Sequence, residues 1–156
     1  MLDNILKDHD FARIMKQHIL EVLSYLFNKE QNFGILCKLD DVSFNPELPD
    51  NLQKNLSQVT LFFLAGYTYE SAYIEEDYII FEAGFGNENF GSVVSVPLLS
   101  IIQIIVDETP LFINLCDVKT QELNQDKTPD IDPKSVENSM SVFLSNPENQ
   151  KFFKKD

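Results

Sequence analysis

Two runs of strand-forming residues, joined by a short bend that contains glycine, constrain the fold of this chain more than any other feature. Residues 78–83 and 92–96 are rich in β-branched and aromatic side chains, and residues 87–91 between them carry Asn and Gly. This pattern predicts an antiparallel β-hairpin. The first run ends in Ala83-Gly84-Phe85-Gly86, where small residues leave the backbone accessible. Accessible backbone beside aromatic side chains suits the binding of an extended peptide.

Further strands are predicted on both sides of this hairpin from their content of β-branched and aromatic residues. They lie at residues 35–39, 59–65, 67–74 and 111–115. On the strand at 67–74, the period of two places Tyr67, Tyr69 and Tyr73 on one face. Residues 98–106 allow two interpretations, because their β-branched content favours a strand whereas the preceding Pro97 suits the first turn of a helix.

The N-terminal region reads as a single helix. Residues 2–28 contain no Pro or Gly, and their apolar residues recur three and four positions apart. Asp3 is the predicted N-cap. The predicted fold class is therefore α+β: an N-terminal helix, then a small two-sheet antiparallel β-sandwich or partly open barrel, then a polar C-terminal tail.

The composition of the chain changes after residue 116. Residues 117–132 hold mostly Asp, Gln, Asn, Lys and Thr, which is typical of a linker. Apolar residues regain helical spacing over 135–144. We therefore divide the 156 residues into a folded domain, 1–116, and a linker and tail, 117–156, with a short helix allowed in the tail.

Charge and hydropathy exclude several classes of partner. The net charge of −13 argues against binding to the nucleic-acid backbone or to an anionic membrane. No run of eighteen apolar residues occurs, and no basic segment precedes an apolar one at the start, so we expect a cytoplasmic protein. Cys37 and Cys116 match no zinc or redox spacing and are expected to be inert thiols.

No catalytic constellation is recognisable in the sequence. His9 and His18 are the only histidines, and nine positions on a helix place them on opposite faces. Phosphate loops, nucleophile elbows and His-Glu-x-x-His motifs do not occur. The acidic groups at 40–41 and 75–77 lack the alternating ligands of a calcium loop and read as solvated turns. We therefore expect a protein that is not an enzyme, with no metal and no cofactor.

Several motifs together resemble the stringent starvation protein B (SspB) adaptors, which deliver tagged proteins to the ClpXP protease. The resemblance covers about residues 19–115. It rests on the Pro-containing loop at 45–52, on Gln58-Val59-Thr60-Leu61, on Phe81-Glu82-Ala83-Gly84-Phe85-Gly86 and on Ser95-Val96-Pro97-Leu98. In the family pattern Phe-x-Ala-Arg-Phe-Gly-Gly, Gly84 stands at the place of Arg. The family's helical turn after Val-Pro favours helix at 98–102.

The resemblance implies a two-sheet fold, a homodimer through the first helix, a groove for a degradation tag and a tail that docks on the ClpX unfoldase. The expected peptide-binding residues are Leu52, Leu61, Phe63, Phe81, Glu82, Ala83, Gly84 and Phe85. Independently of the resemblance, the small Ala83 and Gly84 leave a gap, and Leu61, Phe63, Phe81 and Phe85 are expected to form its apolar walls. The expected dimer residues are Phe11, Ile14, Met15, His18 and Val22. The expected unfoldase-docking residues are Phe152, Phe153, Lys154 and Lys155.

Other classes of function stay open at this point. The main alternative is an acidic, dimeric chaperone of the secretion type, which holds an unfolded effector segment and needs no unfoldase-docking terminus. An enzyme of unrecognised type and a structural subunit that assembles through the first helix are the remaining alternatives.

Overall fold

The N-terminal region forms two helices, and Asp8 separates them. A computed structural model describes residues 1–120 and 122–123, with α1 at Leu2–Leu6 and α2 at His9–Asn28. Asp8 is extended, and its carboxylate accepts hydrogen bonds from the backbone N–H groups of Asp10 at 2.7 Å and Phe11 at 3.3 Å. This is an N-cap, which starts a new helix where a continuous one is predicted. The prediction of a single helix capped by Asp3 is therefore wrong.

Glu30 ends α2. Its φ of 54° is left-handed, and the following Gln31 N–H donates to the Leu26 carbonyl at 2.9 Å. Such a reversal satisfies carbonyl groups that the last helical turn leaves without partners. The chain then turns directly into the first strand.

Eight strands form two open four-stranded antiparallel sheets within the described residues. The first sheet has the order β3-β1-β7-β8 and the second has the order β2-β6-β5-β4. The strands are β1 (Phe33–Lys38), β2 (Ser43–Asn45), β3 (Val59–Leu64), β4 (Tyr73–Glu75), β5 (Tyr78–Phe85), β6 (Phe90–Pro97), β7 (Ile101–Val106) and β8 (Thr109–Ile113). Two short helices are also present, α3 (Asp50–Gln53) and α4 (Gly66–Ser71). The predicted α+β class with two antiparallel sheets is confirmed.

The structure corrects the predicted strand at 67–74. Its first part is α4, and only Tyr73–Glu75 is a strand. Gly66 adopts a φ of 58° and stops β3. The Tyr69 ring then packs 5.4 Å from the Phe27 ring, and its hydroxyl donates to the Leu26 carbonyl at 3.3 Å. This tertiary contact selects a helix where local propensity favours a strand.

Two further segments differ from expectation. Residues 43–45, for which the sequence predicts no strand, form the short strand β2, which pairs with β6. The ambiguous segment 98–106 divides into a 3-10 turn at Leu98–Ser100 and the strand β7. The helix favoured at 98–102 is thus limited to a single turn at Leu98–Ser100, and the strand interpretation holds from Ile101 onward.

The main core lies between the two sheets and is closed by α2. The Phe62 ring of β3 lies 5.5 Å from the Phe81 ring of β5, so the inward faces of the sheets meet. Ile19, Leu23 and Leu26 of α2 are buried in the same cluster. Burial of this apolar surface is the main stabilising contribution to the fold.

A second apolar cluster extends the folded unit past the predicted domain boundary at 116. Cys116, Val118 and Leu123 are buried with Ala12 of α2. The first compact unit accordingly runs from Met1 to Leu123. None of the helices within residues 1–120 and 122–123 has the length and apolar composition needed to cross a membrane.

We predict that Asp8→Ala lowers the free energy of unfolding by about 1 kcal/mol, because two backbone N–H groups of α2 lose their acceptor. Asp3→Ala is the matched control, since α1 has no side-chain cap hydrogen bond. Urea unfolding followed by circular dichroism measures both. Equal effects of the two substitutions would show that Asp8 does not cap α2.

Candidate functional site

A cleft lies at the end of the β5–β6 hairpin, on the face of the second sheet that points away from the core. Glu82 pairs with Val93 and Gly84 pairs with Gly91 across the hairpin. The cleft has a volume of about 400 Å³. Its lining residues are Asn45, Pro46, Tyr67, Thr68, Glu82, Ala83, Gly84, Asn89, Gly91, Ser92 and Val93.

The floor of the cleft is backbone. Among residues 1–120 and 122–123, and apart from the chain neighbours of Gly91, no atom lies within 4 Å of the position that a Cβ of Gly91 would take. At Gly84, the added Cβ would collide with the side-chain amide of Asn89. Asn89 has a φ of 53°, a left-handed conformation that Asn tolerates well, and its N–H donates to the Gly86 carbonyl at 3.2 Å. The hairpin turn therefore places one amide side chain over an otherwise open glycine pair.

One wall of the cleft is the start of α4. The Tyr67 side chain is 66% exposed, and its hydroxyl donates a hydrogen bond to Oε2 of Glu82. The Glu82 N–H donates to Ser71 Oγ at 2.9 Å, which ties the other end of α4 to β5. The hydrogen bond to Glu82, together with the negative charge of that carboxylate, raises the pKa of the Tyr67 phenol. Tyr67 thus remains a neutral donor at physiological pH.

The opposite wall is the end of β2. Asn45 pairs with Val93, and Ser92 Oγ donates to the Pro46 carbonyl at 2.9 Å. Asn45, Thr68 and Asn89 supply neutral polar side chains around the glycine floor. Backbone and side-chain groups of this kind can donate to and accept from the main chain of a peptide.

The structure brings together only part of the predicted peptide-binding set. Glu82, Ala83 and Gly84 line the cleft. Phe81 is 1% exposed in the core, and Phe85 packs edge-on against Phe44 at 5.7 Å. Because side chains alternate along β5, these aromatics point to the opposite face from Glu82 and Gly84 and do not wall the cleft.

Leu52, Leu61 and Phe63 do not line the cleft. A Cβ at Gly86 would lie 2.5 Å from Leu52 Cδ2, so Leu52 covers the turn after β5. Leu61 and Phe63 are 53% and 64% exposed on the other sheet. There they line a separate groove of about 730 Å³ with Gly34 and Ile105. The expectation that they face Ala83 and Gly84 is wrong.

The predicted dimer residues on α2 occupy different environments. Phe11 and Met15 pack on the second apolar cluster, and Val22 packs on the main core. His18 stacks on Phe112 with ring centroids 6.3 Å apart, whereas Ile14 is 54% exposed. Of this set, Ile14 offers the most open apolar surface to a second copy. The docking residues Phe152 to Lys155 lie outside the described residues.

Both cysteines are buried free thiols. Burial raises the pKa of each thiol, and Cys116 Sγ also donates to the Leu6 carbonyl at 3.4 Å. A thiol with a raised pKa is a poor nucleophile at neutral pH. Across residues 1–120 and 122–123 no group of three or more potential metal ligands comes together.

The acidic turn at 75–77 is less solvated than predicted. The Asp77 carboxylate pairs with Lys16 Nζ of α2 at 3.0 Å, with side chains 21% and 14% exposed. The Asp77 carbonyl accepts from the Leu98 N–H at 2.9 Å. This turn therefore connects α2 to the second sheet.

The sequence interpretation did not include most of the cleft walls. Three of the wall residues lie in separate segments of the chain or in a turn: Asn45, Thr68 and Asn89. Tyr67 lies in a segment for which the sequence predicts a strand, whereas the structure has the helix α4. Gly91 could have been predicted from the sequence, since pairing the two strands of the hairpin in register places it opposite Gly84.

Comparison of the chain with protein-family models, with curated proteins and with solved structures finds no match.

We predict that Phe81→Ala lowers the free energy of unfolding by about 3 to 5 kcal/mol, as expected for a large aromatic removed from a core. Phe63→Ala is the matched control and should change it by less than about 0.5 kcal/mol, because that ring is mostly exposed. Chemical denaturation of both variants tests the assignment. A small effect at Phe81 would contradict its place in the core.

Proposed function

We propose that this protein is a non-catalytic adaptor that binds an extended peptide of a client protein and delivers the client to the ClpXP protease. The observation that carries the peptide-binding part is the floor of the cleft, where Gly84 pairs with Gly91. The space above Gly91 is open among the described residues, and the side-chain amide of Asn89 lies above Gly84. Delivery to ClpXP rests on the motifs shared with the SspB adaptors.

The cleft suits a main chain better than a bulky group. A volume of about 400 Å³ lies within the usual range for ligand sites. An extended peptide can approach the backbone at Gly91 without meeting a Cβ. The Asn89 amide above Gly84, together with Asn45 and Thr68, can hydrogen-bond to its main chain. Contacts to the main chain give affinity for many sequences, which is what an adaptor for several clients requires.

The remaining parts of the proposal follow the same family pattern. The exposed Ile14 on α2 is the centre of the proposed homodimer contact. Phe152, Phe153, Lys154 and Lys155 are the proposed contact with the ClpX unfoldase. This function would place the protein in the cytoplasm, together with the protease.

We predict that Gly91→Phe abolishes peptide binding without unfolding the protein. The new ring enters open space at the cleft floor, and Phe is a favourable residue in a strand. Ala83 is a poorer choice, since it is half-buried against the core. The probes are fluorescein-labelled peptides selected from a random displayed library on the wild-type protein, measured by fluorescence anisotropy.

The expected result is saturable binding to wild type and affinity at least about tenfold weaker for Gly91→Phe, roughly 1.4 kcal/mol in binding free energy. Thr109→Phe is the control, because it adds the same ring to an exposed strand position on the other sheet. If no selected peptide binds, or if both variants bind like wild type, the cleft is not a peptide site.

We predict that a chain ending at Leu123 binds these peptides normally but fails to deliver clients. Ending the chain earlier would remove the buried Leu123 and weaken the second apolar cluster. The assay follows degradation by ClpXP of a small folded protein fused to a selected peptide. Full-length protein should accelerate degradation and the shortened chain should not; equal acceleration by both would exclude the tail from delivery.

The second candidate function is a chaperone that holds an unfolded segment of a client. It is favoured by the outer face of the first sheet, where Leu61, Phe63, Leu111 and Ile113 are all more than half exposed. Exposed apolar area of this kind is typical of protein-binding surfaces. A holding chaperone would protect the fused client from ClpXP, whereas an adaptor accelerates its degradation.

A further inference from the structure

Glu82 is the one acidic or basic side chain among the described residues that line the cleft. We propose that the cleft selects extended peptides with Lys or Arg opposite Glu82 and rejects peptides with an acidic residue there. This inference rests on the proposed peptide-binding function and adds to it the chemical class of the ligand.

The position of the Glu82 carboxylate is set by its neighbours. The Tyr67 hydroxyl donates to Oε2, and the Glu82 backbone is held by Ser71 Oγ at 2.9 Å. A carboxylate has about four acceptor positions, and the hydrogen bond from Tyr67 uses one of them. The remaining positions are able to accept N–H groups from an ammonium or guanidinium group in the cleft.

The other lining side chains offer an acidic peptide no positive partner. Asn45, Thr68, Asn89 and Ser92 are neutral, and Gly84 has no side chain. An acidic side chain near Glu82 would therefore meet a like charge without compensation. Such unpaired repulsion is an effective means of rejecting a wrong partner.

The net charge of the whole chain also favours basic peptides over acidic ones. At −13, the protein attracts cationic segments over long range and repels anionic ones. This field is screened by salt, whereas direct pairing with Glu82 depends on the peptide position that faces it. Position dependence therefore separates a specific contact from general attraction.

The test uses the peptides already selected on the wild-type protein. Those whose binding is lost in Gly91→Phe should be enriched in Lys or Arg at one position relative to the starting library. For the best of them, three versions are made with Lys, Gln or Glu at that position. Anisotropy at physiological ionic strength should rank their affinities Lys above Gln above Glu.

Glu82→Gln should reduce the advantage of Lys over Gln by about two- to fivefold, the range for a solvent-accessible ion pair. Glu75→Gln is the matched control, because it removes the same charge from an exposed position in the same sheet outside the cleft. It should leave the ranking unchanged.

The outcomes are distinguishable. Loss of the Lys advantage in Glu82→Gln alone supports the inference. Cleft-dependent peptides with no basic enrichment, or a ranking that Glu82→Gln leaves intact, overturn the inference while the peptide-binding function stands. Equal loss in Glu75→Gln shows general attraction and also overturns it. Absence of any cleft-dependent peptide overturns the proposed function itself.

Discussion

Phe81 of β5 pairs with Val94 of β6, and both side chains point into the core between the sheets. Because side chains alternate along a strand, burial of this pair makes the next pair, Glu82 with Val93, face outward, and Gly84 with Gly91 lies on the same outward face two positions further along. A one-residue shift in the register of β5 would turn Glu82 toward the core and Phe81 toward the solvent. The same apolar contact that stabilises the two-sheet core therefore fixes which residues form the cleft floor.

The walls of the cleft are held by contacts that reach the core or the neighbouring strand. Tyr69 anchors α4 through its packing on Phe27, so Tyr67, two residues earlier, is presented toward Glu82. Phe44 packs on Phe62 and Phe85, and the hydrogen bond from Ser92 to Pro46 fixes the end of β2. The cleft is thus formed before any ligand arrives. A preformed site lowers the ordering cost of binding, which favours useful affinity from a small contact area.

The strands are predictable where β-branched and aromatic residues are concentrated, as in β3 and in the β5–β6 hairpin. The prediction failed at α4, because the packing of Tyr69 on α2 outweighs the local preference of an aromatic-rich segment. It also failed at Asp8, whose hydrogen bonds divide an otherwise continuous helical pattern. The cleft lining includes Glu82, Ala83 and Gly84, as expected from a local feature of the sequence, the small residues at the end of β5. The sequence does not show that Leu61 and Phe63 lie in a different sheet from Ala83 and Gly84, because the residues of a strand do not reveal which sheet the strand joins.

In the proposed function, the floor and the wall of the cleft have different roles in peptide recognition. Gly91 and the Asn89 amide above Gly84 offer neutral groups that would contact the main chain of a peptide, so under the proposed function the floor would discriminate little between sequences. Glu82 is the feature that differs in its effect from one peptide to another, because it attracts a cation and repels an anion. Since Tyr67 holds that carboxylate by a hydrogen bond and carries no charge of its own, the wall orients the charge without neutralising it. Under the proposed function, selectivity in this cleft would therefore depend on one charged group that a neutral group holds in place.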